Sequence, residues 1–335
     1  MLALSDIQFF AKDLVRPECI LATADGVFYT ADFRGGVCKI MPNGEQQLIL
    51  PKQNDHCPPL KPNGICLLEN GDFLIAHLGD EVGGIYRLTQ DGEVSPFVTH
   101  IDGEPLPPSN FIYLDHQDRL WLTVSTRQQP RAKAYRSDVS DGFVALIEYE
   151  SEYENGEPIP KGTAKAKIVA DNIGYTNEVY VTEDGRTLYV NATFTRETLS
   201  FDITANNQLI NPNLVAKYGK GIFPDGLTMD TQGHLWVTSI VSNTVIRVNP
   251  STGESQVILA DNDPEHIDWV EEAYKIHAMG RPHLDNVKSH KLKNVSSLAF
   301  YGKNMTDIAL GCLLGDSIPT IKTNFSGVKP AHWNL

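Results

Sequence analysis

Long apolar runs are missing from this 335-residue chain. No stretch approaches the 18 uncharged apolar residues that a membrane-spanning helix needs, so no membrane span is expected. The N-terminal residues MLALSDIQFFAKDLVRPE carry no basic segment leading into a long apolar core, so no signal peptide is expected and the expected location is the cytoplasm. Basic residues are few: 28 Lys and Arg stand against 42 Asp and Glu, a net charge of −14. A nucleic-acid surface needs clustered cations to neutralise phosphate, and this balance argues against one. It argues in the same direction for anionic membranes. The five cysteines, Cys19, Cys38, Cys57, Cys66 and Cys312, are odd in number and include no CxxC pair. Reduced thiols, mostly small buried apolar residues, are expected, with Cys19 beside Glu18 the one to watch. There is no GxSxG elbow, no P-loop and no GxGxxG between a strand and a helix, so neither a nucleophile elbow nor a dinucleotide fold is expected. Helical periodicity is nearly absent too.

A repeat is present instead. An apolar strand, a turn of Asp, Gly or Asn, and a second apolar strand recur as ECILATADGVFYTADF (18–33), NGICLLENGDFLIAHL (63–78), NFIYLDHQDRLWLTVS (110–125), NEVYVTEDGRTLYVNA (177–192) and DGLTMDTQGHLWVTSI (225–240). A degenerate sixth copy, SSLAFYGKNMTDIALGCL, covers 296–313. The starts are 45, 47, 67, 48 and 71 residues apart, and further strand-like pieces such as GGIYRLTQDGEVSPFV follow each hairpin. About four short strands per unit at this period is the mark of a propeller blade. The prediction is a single all-β domain over 1–335, a six-bladed β-propeller; a β-solenoid would have shorter coils. A strand within 5–14 is expected to complete the last blade and remove a free edge.

Each unit opens on a polar residue. In five units it lies eight positions before the turn residue: Glu18 to Gly26, Asn63 to Gly71, Asn110 to Asp118, Asn177 to Gly185 and Asp225 to Gly233. Ser296 or Ser297 is the nearest equivalent in the sixth. Taken singly, such residues commonly cap turns and strand starts. Taken together they share a register that turn chemistry does not impose, and in a ring of blades they converge at one mouth of the central channel. The set offers only oxygen, which suits a hard cation, Ca2+ above all, rather than a nitrogen- and sulfur-seeking metal.

PDGLTMDTQGHLWVT resembles the PDG-L-x-x-D-x-x-G-x-L-W-V signature of the senescence marker protein, gluconolactonase and luciferin-regenerating-enzyme-like propellers, and VRPECILATADGVFYTADFRGGVCKI resembles their first blade. The likeness runs from about Glu18 to the end. It implies one Ca2+-type ion (or Mn2+, Mg2+ or Zn2+) held by Glu18, Asn177 and Asp225, with Asn110 as a ligand or a contact to substrate or water. It implies a hydrolase acting on a small molecule, most often a lactonase, with Asp225 as general base and His283 as the alternative. The chain departs from the pattern at Phe111 and at Glu178, where relatives commonly carry Asp or Gly and Gly. The same metal site could instead serve an organophosphate or ester substrate, or stabilise a non-catalytic binding propeller.

The two long intervals mark insertions. The first, about 126–142, is crowded with Arg127, Arg131, Lys133 and Arg136, which could receive a carboxylate or phosphate or simply be solvated; Arg127 is the candidate chosen. The second, 261–286, reads as one helix over 264–280, with Asp263 as cap, Pro264 in its first turn and an apolar stripe of Ile267, Val270, Tyr274 and Ala278. It is a candidate lid offering Trp269 or Tyr274 to substrate, while His277 and His283 are candidate acid/base groups, histidine being the usual residue for proton transfer near neutral pH. Asn63 and Asn110 complete the candidate substrate contacts.

Overall fold

A computed structural model describes residues 1–53, 56–154 and 157–335. The expected repeat becomes six blades, each four antiparallel strands, set around a channel. The innermost strands are Ile20–Ala22, Pro62–Leu67, Ser109–Leu114, Thr176–Val181, Ile222–Met229 and Val295–Tyr301. The third blade is extended at its outer edge by the short hairpin of His100–Ile101 and Glu104–Pro105. The sixth holds Val295–Tyr301, Asp307–Cys312 and Ile318–Lys322 and is completed by Gln8–Phe10, paired Gln8 to Thr320 and Phe10 to Ile318. The N-terminal strand thus closes the ring as expected.

The repeated turn has a structural job distinct from that of the polar start. Asp230 is buried and accepts from the Trp236 indole at 2.9 Å, from Arg247 at 2.6 Å and from the backbone N–H of Gln232 and His234. Asp115 does the same for Trp121 at 2.8 Å and Arg119 at 2.7 Å. The D-x-x-G/D-x-L-W pattern is therefore a latch that closes the hairpin and fixes a buried tryptophan. Aromatic rings then join neighbouring blades: Trp236 meets Phe300 at 5.0 Å, Phe28 meets Tyr301 at 4.9 Å and Tyr29 meets Phe73 at 5.4 Å.

Chain direction separates the two ends of the channel. Innermost strands run from their polar starts to the latched turns, so even-numbered strands return to the polar end. Both insertions leave from such returns, after Val124 and after Ala260, and therefore lie at the polar end. The C-terminal tail lies at the other. Thr231 N–H bonds the Ser326 carbonyl, Val328 N–H bonds the Met229 carbonyl and Ala24 N–H bonds the Trp333 carbonyl, carrying the tail from blade five to blade one across the turn end.

The inserted helix is shorter than expected. It spans Pro264–Lys275, capped by Asp263, which accepts from His266 N–H at 2.7 Å. His277, in the left-handed region at φ 59°, stops it ahead of Gly280, and a second helix, Arg281–Asp285, follows. Ile267 and Val270 pack with Tyr135, Tyr175, Phe194 and Phe223 in one apolar cluster. Glu271 pins the helix to blade four: it pairs with Arg196 at 2.5 Å, both buried, and accepts from Gly221 N–H at 2.7 Å.

Candidate metal centre

The polar starts are set apart by the backbone. In blades two to six the pairing of the innermost strand to its neighbour slips by one residue at these positions, between Pro62 and Ile65, Ser109 and Phe111, Thr176 and Val179, Pro224 and Leu227, and Val295 and Ser297. Each slip is a β-bulge, which unpairs the extra residue and re-aims it. Asn63, Asn110, Asn177, Asp225 and Ser296 sit in these bulges, and Ser296 is thereby fixed as the sixth equivalent. Glu18 lies two residues before its strand, and its carbonyl accepts from the Ser296 hydroxyl at 2.9 Å. Crowding at the axis is severe. A Cβ on Gly64 would stand 2.7 Å from the Phe111 Cα, and one on Gly226 would stand 2.5 Å from the Ser296 carbonyl oxygen.

Glu18, Asn63, Asn110, Asn177 and Asp225 are all buried. Hydrogen bonds engage both side-chain polar atoms of Asn63 and of Asn110 and leave an oxygen over on each of the other three. Asn177 donates through Nδ2 to Thr193 Oγ1 at 3.1 Å, and Thr193 donates in turn to the Pro224 carbonyl at 2.8 Å. Glu18 Oε1 accepts from Asn63 Nδ2 at 3.0 Å. What remains is one oxygen on each of the three expected ligands: Glu18 Oε2, Asn177 Oδ1 and Asp225 Oδ1 are buried without a partner. A buried acceptor left unpaired costs about 1–3 kcal/mol, more when charged. Three orphaned oxygens on structurally equivalent positions of three blades suit a hard cation in chemistry, so the residues present fit such an ion. Among the described residues, no three His, Cys, Asp or Glu side chains group as a metal site; the trio here is two carboxylates and an amide.

The electrostatics agree. Burial raises the Glu18 carboxyl to about 7, partly offset by the Arg16 guanidinium. Burial and the nearby Glu18 charge push the Asp225 carboxyl well above its ordinary range. Glu178, the departure from the pattern beside Asn177, is raised well above its range for the same two reasons. Glu178 Oε2 accepts from Leu227 N–H at 2.9 Å, and Oε1 is buried and unpaired. Its side chain lines a cavity of about 80 Å³ further down the channel with Cys19, Phe111, Tyr180 and His332. The Cys19 thiol is pushed well above its ordinary value by burial, so it is inert.

The other expected residues are placed differently. Asn110 Oδ1 is not free: it accepts from Asn63 Nδ2 at 2.9 Å, while its own Nδ2 donates to Ser125 at 2.6 Å. Asn63 has every polar atom engaged, its Oδ1 accepting from Arg16 at 2.9 Å, and so positions the cluster. Arg127 pairs with Asp171 at 2.8 Å and lies over Phe143, none of them a member of the cluster. Tyr274 donates to the Phe194 carbonyl at 2.6 Å and packs on Arg196 and Phe223. Trp269 stacks on His283 at 4.1 Å, and His283 Nδ1 accepts from Gly280 N–H at 3.0 Å as a helix cap. Arg16, two residues before Glu18, and Arg131, rather than the expected Arg127, bond to the cluster. Arg16 and Arg131 are the cations that act on both Glu18 and Asp225.

A family model described as the SMP-30/gluconolactonase/LRE-like region matches residues 13–261. The chain belongs to that family. No curated protein sequence matches it. Solved structures that it resembles include a luciferin-regenerating enzyme, at 15% identity and TM-score 0.65 with 97% of each chain covered. A gluconolactonase from Xanthomonas campestris is similar at 17% identity and TM-score 0.60, with 93% of this chain and 87% of that one covered. The calcium-binding protein regucalcin from Agrobacterium tumefaciens strain C58 is similar at 13% identity and TM-score 0.59, with 97% and 99% covered. At these identities the likeness is one of fold, and the propeller of this family is the fold described above.

Proposed function

We propose that this chain is a divalent-metal-dependent hydrolase that opens a lactone, with Glu18, Asn177 and Asp225 holding a Ca2+-type ion. The observation that carries the reading is the trio of buried, unpartnered oxygens on those residues. Membership of a family that includes gluconolactonases supports the reaction class. A cation bound there supplies Lewis acidity toward the lactone carbonyl.

The chain's own groups do the rest. Thr193 fixes the Asn177 amide with its oxygen presented, and Asn63 fixes Glu18. Asp225 takes the proton of a water as its oxygen bonds to the carbonyl carbon. The ring C–O bond then breaks, and the same proton passes from Asp225 to the departing alkoxide, leaving a hydroxy acid. The helix Pro264–Lys275 and the loop around Arg131 leave from this end of the channel and share one apolar cluster, which supports a role for them as its lid.

A panel of lactones assayed with Ca2+, Mn2+, Mg2+, Zn2+ and a chelator tests the reading. Turnover that a chelator abolishes and a divalent ion restores, with the fold unchanged, is the expected result. Loss of the fold on chelation, with no turnover on any lactone, would make the ion structural and the reading wrong.

A further inference from the structure

Two arginines that the lactonase reading does not use, Arg16 and Arg131, bond to the polar cluster. Arg16 Nη2 donates to Asn63 Oδ1, and Arg131 Nη2 donates to Ser125 Oγ at 3.3 Å, the hydroxyl that also receives Asn110 Nδ2. One hydrogen-bonded chain thus runs from Arg16 through Asn63, Asn110 and Ser125 to Arg131. Each guanidinium keeps one buried N–H without a partner: Nη1 of Arg16 and Nε of Arg131. Arg281 is close enough for the three positive charges to repel, but it is paired with Asp285. Arg16 is also held in the left-handed backbone region at φ 51°, a strained conformation for a residue with a side chain. Tyr175 offers its ring face to Arg131 at 5.5 Å. The two buried N–H donors, at the two ends of that hydrogen-bonded chain, call for one anionic ligand.

We infer that the substrate carries an oxyanion group, a carboxylate or a phosphate, received jointly by Arg16 and Arg131 while its ester bond lies at the metal centre. The inference rests on the lactonase reading for the ester and on the two arginines alone for the anion. Paired guanidinium donors suit a planar or tetrahedral oxyanion, and charge-assisted hydrogen bonds of this kind are about twice as strong as neutral ones. A neutral lactone would leave both donors buried and unpaired, and so would be discriminated against.

Two measurements test this on the full-length, Ca2+-loaded protein. Calorimetric titration with acetate and with methyl phosphate reads the anion site without any turnover. At least one probe should bind, and Arg16→Gln and Arg131→Gln should each weaken it by about tenfold or more, the scale of one lost charged hydrogen bond. The probe that binds more tightly names the group. No binding of either probe, or binding equal in both variants and the parent, overturns the inference. The second measurement is the ratio of kcat/KM for a lactone bearing a carboxylate to that for its neutral counterpart. The ratio should fall by at least tenfold in Arg131→Gln; an unchanged ratio overturns the inference. Arg131→Lys keeps the charge without the fork and serves if the Gln variant fails to fold, with the same fall expected in smaller degree. Anion binding without any lactone hydrolysis would retain this inference and remove the lactonase reading; lactone hydrolysis without anion binding would do the reverse.

Discussion

Asn177 shows at the scale of one side chain how the centre is prepared. Its nitrogen is tied to Thr193, so its oxygen has one direction left to face, and there it finds no protein donor. Glu18 and Asp225 are left in the same condition, and as buried acids they resist ionisation. The sign of the consequence is fixed. A carboxyl whose folded value lies above its unfolded one contributes stability that is complete below the unfolded value and is lost as pH rises through the folded one. For Glu18 that window runs from about 4.5 to about 7, and the raised carboxyls of Asp225 and Glu178 act in the same direction. Chelated protein should therefore lose melting temperature steadily between about pH 5 and pH 7, and saturating Ca2+ should flatten that decline. Calorimetric scans across this range, with and without chelator, check it; parallel profiles in the two conditions would contradict it. One register set Glu18, Asn63, Asn110, Asn177 and Asp225 apart in the sequence, and the family resemblance singled out Glu18, Asn177 and Asp225 among them. Arg16 and Arg131 were not legible there, because the direction of a loop side chain follows no period, and Arg127 was as basic and as close in sequence.

At the scale of the element, the blades were legible because hairpin turns and alternating apolar residues are local signals. The bulges were not: two residues opposing one is a property of a pair of strands, and no single strand declares it. For the same reason the sixth unit had no clear register until Ser296 was seen as the extra residue between Val295 and Ser297. The inserted helix was legible from its cap and stripe, but its end was not, since His277 rather than glycine takes the left-handed turn. Its anchorage by Arg196 and Glu271 joins residues 75 positions apart. Glu271→Gln leaves Arg196 buried without its counter-charge and should cost about 3–5 kcal/mol. Denaturant unfolding monitored by Trp269 fluorescence measures this; a loss below about 1 kcal/mol would show that the pair does not hold the helix. Trp269, exposed and stacked on His283, lies on this helix at the polar end. If the helix narrows access, Trp269→Ala should change KM for bulky apolar lactones more than for small ones. An equal change for every substrate, with a lower melting temperature, would mean that the helix serves only as scaffold.

At the scale of the molecule, the ring is closed by its two termini in different ways. Gln8–Phe10 supplies the outer strand of the sixth blade, and the tail from Ser326 to Trp333 crosses the turn end of the channel. Removing residues 1–11 bares the edge of Ile318–Lys322, and the expected result is a lowered melting temperature with concentration-dependent association, read by light scattering. An unchanged, monodisperse truncation would show that closure does not depend on this strand. With the turn end crossed by the tail, the polar end is where cation and substrate should meet. The central claim is that Glu18, Asn177 and Asp225 together hold one divalent ion. Calcium titration of metal-free protein by calorimetry, set beside the same titration of Glu18→Gln and Asp225→Asn, tests it most directly. The account predicts one ion per chain in the parent and at least a tenfold loss of affinity in each variant, with the β-rich circular dichroism spectrum preserved. Equal calcium binding in all three proteins would contradict it.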